Sequence, residues 1–310
     1  MSEQSQVRLD VADPAVRSLI APGARLKEIA VGGEWFEGPA WLGETLVWSD
    51  VRGNRLHAWD RGRGARTWIE KSHHQNGHTV DREGRLVAAS HGERAIVRRE
   101  HDGRWTMIAD FTPDWRRFNS PNDVVVASDG ATWFTDPTFG LHQSEEGFEP
   151  PAMPSEIGGS HVFRAGPRGL RDGVRNLTAH LPAMPAPNGL ALSPDESVLY
   201  VSDSSANHIL GFRVRLSLDG PELHQPWIVH RTFEGSPDGI RVDPTGRLWS
   251  SSGAGVEILR PGLPGERARH LGTILVPQVT ANLAFSPDLR RLALTATSSV
   301  YLLKLGDITV

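Results

Sequence analysis

One unit recurs six times along the 310 residues, and that recurrence restricts the fold more than any other feature of the chain. Each unit opens with a side-chain oxygen and runs straight into a strand pattern: Glu37 in FEGPAWL, Asn76 in QNGHTVD, Asn122 in SPNDVVV, Asn188 in PNGLALS, Asp238 in SPDGIRVD and Asn282 in TANLAFS. A polar turn follows, such as Asp81-Arg82-Glu83-Gly84, Ser128-Asp129-Gly130 or Asp243-Pro244-Thr245-Gly246. Then comes a second strand rich in aliphatic and aromatic residues: TLVWSD, RLVAASH, TWFTDP, VLYVSDS, RLWSSS and RLALTAT. Turn residues between two strand patterns mark a hairpin. A fixed unit repeated almost from end to end marks an array of equivalent modules.

Further strands follow in several units, as in NRLHAWD then ARTWIE, AIVRRE then RWTMIAD, and HILGFRV then QPWIVHR. Four antiparallel strands in each of six units predict an all-β, six-bladed β-propeller. The last unit supplies only three strands by residue 310, so the preceding ARLKEIAV is expected to complete the last blade and close the ring. The whole chain, 1–310, reads as one domain, with residues 1–23 as an N-terminal extension. Asp13 as N-cap and Pro14 at the first helical position predict a short helix to Ile20. The uneven gap between Asn122 and Asn188 holds an insertion, 137–159, rich in Gly, Pro and Glu. It leaves the second strand of its blade, so it is expected to overhang the mouth where the oxygen residues gather.

The rest of the composition mainly excludes. Cysteine is absent, which removes disulfides, thiolate metal sites and cysteine nucleophiles. A net charge of −4 with interspersed signs offers no basic stripe for nucleic acid. No apolar run is long enough to cross a bilayer, and MSEQSQVRLD has neither a basic nor an apolar leader region, which points to a cytoplasmic protein without a membrane partner. The generous counts of Gly, 32, and Pro, 22, suit many turns between short strands. No G-x-S-x-G elbow and no Gly-rich phosphate loop occurs.

If the six inner strands are equivalent, their first residues converge on one axis, and a circle of carbonyl and carboxylate oxygens is what a hard cation binds. Four positions make the best cage: Glu37 and Asp238 bring two negative charges, and Asn122 and Asn188 bring neutral amide oxygens. That donor set suits one divalent cation, Ca²⁺ first, with Mg²⁺, Mn²⁺ or Zn²⁺ as alternatives. The competing reading is that Asn and Asp merely cap strand starts through local hydrogen bonds. Catalysis in such a cage falls to Asp238 as the group assisting water, with Asn122 beside it, because an Asn cannot act as a base and Glu37 sits in an aromatic setting suited to a fixed ligand. Asp123 and His78 are candidates for a supporting shell or for orienting a ligand, as is Asn282 on the ring. Asp50, Asp136 and Asp203, at the ends of second strands, read as turn caps.

FEGPAW, NSPNDVVVASDGATWFTDPTFGL, PNGLALSPDESVLYVSD and PDGIRVDPTGRLW, in that order over nearly the entire chain, closely resemble the gluconolactonase and senescence-marker-protein (SMP-30, regucalcin-like) family. The resemblance implies a six-bladed propeller with one catalytic divalent cation, usually calcium, that hydrolyses sugar lactones. It places the family's metal ligands on Glu37, Asn122, Asn188 and Asp238, with Asp238 as the proposed base. One departure concerns the substrate. Where animal members carry an Arg that contacts the sugar, this chain has Ser120, with Arg116 and Arg117 earlier, and Trp115, Phe118, Phe139 and Phe148 are expected to give a more apolar mouth. Three functions compete: a metal-dependent lactonase acting on a small lactone, an organophosphate hydrolase using the same cage, and a non-catalytic calcium-binding protein.

Overall fold

A computed structural model describes residues 4–146, 153–181, 183–217 and 220–309. Six antiparallel sheets follow one another along the chain as the six blades of a propeller. Blade one comprises Phe36–Leu42, Thr45–Asp50, Arg55–Asp60 and Gly64–Glu70, and blade two Gln75–Val80, Leu86–Ser90, Ala95–Arg99 and Trp105–Ala109. Blade three comprises Val124–Val126, Thr132–Asp136, His161–Ala165 and Val174–Asn176, and blade four Pro187–Leu192, Val198–Asp203, His208–Ser217 and Gly220–Arg231. Blade five is built on Ile240–Val242, Leu248–Ser251, Gly255–Arg260 and Arg269–Leu275. Blade six combines Thr280–Phe285, Arg291–Ala296 and Ser299–Lys304 with the early strand Arg25–Val31, so the ring closes as the sequence predicts.

Two short strands were not anticipated. Gln4–Gln6 pairs with Arg25–Val31 on the outside of blade six, and Arg8–Val11 pairs with Arg269–Leu275 on the outside of blade five. Both outer edges are thereby covered, and one segment bridges adjacent blades. The expected helix after Asp13 is a 3₁₀ helix, Pro14–Leu19, whose cap is the Asp13 side chain accepting from the Ala15 N–H at 3.0 Å.

Turn chemistry explains the hairpins. Asp81 Oδ1 accepts from the Glu83 and Arg85 N–H groups at 3.1 and 2.8 Å, and Asp243 Oδ1 does the same for Thr245 and Arg247 at 3.0 and 3.1 Å. Gly84 and Gly246 close these turns at φ 76° and 86°, where a side chain would be strained.

The apolar core is distributed among the seams between blades. Phe36, Trp41, Trp48 and Trp59 pack against Ala293, Val300 and Leu302 between blades one and six. Phe118, Phe134 and Phe163 fill the seam of blades two and three, with ring centroids 4.9 to 5.6 Å apart. Period-two alternation puts one set of side chains from each sheet into each seam. The inner strands, which face two neighbours and the axis, are buried along most of their length.

Candidate active site

The inner strands enter the axis through β-bulges. Register shifts lie between Glu37 and Ala40, Gln75 and His78, Pro187 and Leu190, and Thr280 and Asn282. A bulge re-aims side chains that strict alternation would send into the seams. Adjacent blades are stitched together at this level. The Gly77 N–H donates to the Asn122 carbonyl at 2.8 Å, Gly189 to Asp238 at 3.2 Å, and Gly239 to Ala281 at 2.8 Å. Hydroxyls from second strands reinforce the ring: Ser49 donates to the Asn76 carbonyl at 2.8 Å, Thr135 to Asn188 at 2.6 Å, Ser202 to Asp238 at 2.6 Å and Ser251 to Ala281 at 2.7 Å.

That pattern corrects the sixth ring position. The residue equivalent to Asn188 and Asp238 in blade six is Ala281, and Asn282 lies one residue further on, level with the glycines. Its side chain nonetheless reaches the Glu37 carboxyl, where it acts to lower the pKa. Asn76 turns toward His91, with Nδ2 to Nε2 at 3.4 Å.

The glycine after each of several ring residues has a steric cause. A Cβ on Gly189 would lie 2.4 Å from the Asp238 carbonyl oxygen and 2.6 Å from the Ile240 nitrogen, both backbone atoms. Gly189→Ala is therefore expected to force the inner strands of blades four and five apart and to destabilise the fold by about 3 kcal/mol, read as a drop in Tm by circular dichroism. An unchanged Tm would show that this seam is looser than described.

Glu37 is buried at 3 % exposure, and its Oε2 accepts from the Gly38 N–H at 2.8 Å. Burial pushes its pKa up to about 7, helped by the charges of Asp123 and Glu146 and opposed by the hydrogen bonds from Gly38 and Asn282. Asp238 is half-buried as a residue, but its Oδ1 is shielded from solvent and has no hydrogen-bond partner. Desolvation, then the charges of Glu37, Asp123 and Glu146, hold its pKa well above the usual carboxylate range, against a hydrogen bond from Asn188. Glu37, Asp238, Asn188 and Asn282 are thus brought together. Asn188 Nδ2 donates to Ser204 Oγ at 3.1 Å. Asn122, 4 % exposed, is tied through its backbone to Gly77 and Thr135.

Four carboxylates therefore share this mouth, and they differ in their partners. Asp123 is paired with Arg241 at 2.9 Å, and Glu146 with Arg52 at 3.1 Å. Among the described residues Glu37 and Asp238 have no basic partner. Like charges in a shielded site repel strongly unless protonated or neutralised by a cation. No three His, Asp or Glu side chains group as a metal cluster among the described residues.

Other expectations resolve as follows. His78 is buried, with Nδ1 2.7 Å from the Gly38 carbonyl and Nε2 3.3 Å from Gln75 Oε1, and burial lowers its pKa to about 4. It is a neutral strut of the channel. Phe118 is fully buried in the seam of blades two and three and does not line the mouth. Trp115 stands outside the group at 81 % exposure, its ring against Phe111 at 6.0 Å. Phe139 is half-buried in a single helical turn, Phe139–His142. Phe148 and residues 147–152 of the insertion lie outside the described residues. Asp50 caps its turn, accepting from the Glu34, Trp35 and Gly53 N–H groups, and Asp136 and Asp203 do likewise for Asn119 and Ala206.

Sequence reading missed Glu146, Arg52 and Arg241. Glu146 comes from the insertion; its carboxylate meets Arg52 of blade one, and its carbonyl lies 3.0 Å from His91 Nδ1 of blade two. Only Arg241 carried a local signal, a lone charge within the aliphatic run of an inner strand.

Fold and site together define a six-bladed propeller with one polar centre at the mouth of its axis. The chain belongs to the SMP-30/gluconolactonase/LRE-like family, whose characteristic region matches residues 35–298. It is 30 % identical to a gluconolactonase of Zymomonas mobilis over 80 % of this chain and 73 % of that protein. A pentonolactonase of Haloferax volcanii is 26 % identical over 84 % of this chain and 80 % of its own length. Among solved structures, a gluconolactonase from Xanthomonas campestris superposes with a TM-score of 0.86 at 34 % identity, covering 98 % of this chain and 97 % of that one.

Proposed function

We propose that the protein hydrolyses a small sugar-type lactone with the help of one divalent cation, Ca²⁺ by preference, held by Glu37, Asn122, Asn188 and Asp238. The observation that carries the reading is the pair of shielded carboxylates, Glu37 and Asp238, without basic partners among the described residues, together with the partnerless Asp238 Oδ1. The residues fit such an ion: two negative charges and two amide oxygens are hard donors suited to Ca²⁺. The names of the relatives, gluconolactonase and pentonolactonase, support a lactone as substrate.

When bound, the cation would supply positive charge that polarises the lactone carbonyl. Asp238 is the group that moves protons. Its Oδ1 accepts a proton from water as the water oxygen bonds to the carbonyl carbon. The acyl carbon–oxygen bond of the ring then breaks, and the proton passes from Asp238 to the departing ring oxygen. Asn188 beside Asp238 and Asn282 beside Glu37 favour the ionised carboxylates. The insertion, through Glu146 and its Arg52 tether, covers one side of the mouth and limits water there.

The test is a proton-release assay on glucono-, galactono- and xylonolactone and on alkyl lactones, after chelation and again with Ca²⁺, Mg²⁺ or Mn²⁺ restored. Hydrolysis of an aldonolactone that vanishes on chelation and returns with the ion is expected. Faster hydrolysis of paraoxon than of any lactone would transfer the site to phosphotriesters. Calcium binding without turnover of any substrate would leave a binding protein.

A further inference from the structure

Just beyond the ring, an ion pair crosses the central channel. Asp123 immediately precedes the inner strand of blade three and Arg241 lies on that of blade five, with blade four between them. Arg241 Nη1 donates to Asp123 Oδ2 at 2.9 Å and Nη2 approaches Oδ1 at 3.4 Å, while Nη1 also donates to the Ile240 carbonyl at 2.7 Å. Asp123 Oδ1 accepts in addition from the Val124 N–H at 2.9 Å. Every oxygen of this carboxylate is thus engaged, and its side chain is 1 % exposed. His78 of blade two feels both charges. Beyond the pair, Arg241 borders a cavity of about 290 Å³ with Thr79, Val124, Leu190, Pro194 and Val242.

Asp123 immediately follows Asn122, and its charge is felt at both Glu37 and Asp238. Without a counter-charge it would be another anion at the cation site, and the affinity and selectivity of oxygen sites follow ligand charge and rigidity. We infer that Arg241 is a positioning residue for the cation: by pinning and neutralising Asp123 it keeps that carboxylate out of the ligand set and leaves the centre with the charge of Glu37 and Asp238 alone. The inference rests on the cation reading above.

Calorimetric titration of Ca²⁺ into chelator-treated protein separates the two ideas. Arg241→Met frees the Asp123 charge and is expected to tighten binding about tenfold, whereas Asp123→Asn leaves an uncompensated guanidinium and is expected to weaken it about tenfold. The double variant and Arg241→Lys should each lie within about threefold of wild type. Circular dichroism establishes that each protein is folded. If Arg241→Met fails to fold, the weakening in Asp123→Asn and the wild-type-like Arg241→Lys carry the test. Single variants that both weaken binding, or that leave it unchanged, would overturn the inference while the cation reading stands. A wild-type protein that takes up none of Ca²⁺, Mg²⁺ or Mn²⁺ would overturn both.

Discussion

Asp238→Asn is expected to lower kcat for lactone hydrolysis by about 10²- to 10⁴-fold at saturating cation, the range general acid–base groups contribute. The amide keeps an oxygen in the ring and its position between Asn188 and the Gly189 seam, but it cannot take a proton from water. Measuring at saturating Ca²⁺ separates this loss from the weaker binding that follows removal of one ligand charge. Glu37→Gln provides the contrast: its carboxylate is deeper and held by Gly38 and Asn282, so cation affinity should fall first and kcat recover as the ion is raised. Retention of kcat within about threefold in Asp238→Asn would remove this residue from proton transfer.

Acidity supplies the second large effect. Burial raises the Glu37 pKa from 4.5 to about 7, and Asp238 is raised as well. A carboxylate whose folded pKa lies above its unfolded value binds more protons folded than unfolded. Its contribution to stability is therefore complete below the unfolded pKa and is lost as pH rises through the folded one. For Glu37 that window runs from 4.5 to about 7, and its size is roughly 3 kcal/mol for the cation-free protein. A cation needs both groups ionised, so protons compete with it at low pH and it relieves their repulsion at high pH. The rise in Tm on adding saturating Ca²⁺ should therefore be larger near pH 8 than near pH 5.5, by on the order of five degrees. A Ca²⁺-induced shift that is equal at both, or smaller at the higher pH, would contradict the pairing of Glu37 and Asp238 around one ion.

Much of this architecture is legible in the residues because the repeated unit couples a turn signal to a strand signal. Asp-x-x-Gly turns and the following aliphatic runs locate the inner hairpin of each blade, and the incomplete last unit calls for Arg25–Val31 to close it. The outer strands of blades three and five are harder to see. Val174–Asn176 has only three residues, and Arg269–Leu275 begins with polar residues beside solvent. Asn282 misled for a different reason: the ring position of blade six is filled by Ala281, which has no side-chain oxygen, and Asn282 is the nearest oxygen-bearing residue, one place further along. Among the site residues, Glu37, Asn188 and Asp238 follow from the repeat, but the pairs Arg52–Glu146 and Asp123–Arg241 join residues from different blades and are visible only in three dimensions.

The stitching of Gln4–Gln6 and Arg8–Val11 onto blades six and five bears on how the chain reaches its native state. During synthesis on the ribosome, Arg25–Val31 must wait with one hydrogen-bonding edge bare until Ser299–Lys304 has emerged, and Arg8–Val11 must wait for Arg269–Leu275. Such distant pairings are entropically costly to form and slow, and unpaired strands are prone to associate with other chains meanwhile. Productive maturation thus hinges on a late annealing event at one seam. A lesion there would reduce the yield of soluble molecules more than the catalytic rate of those that succeed.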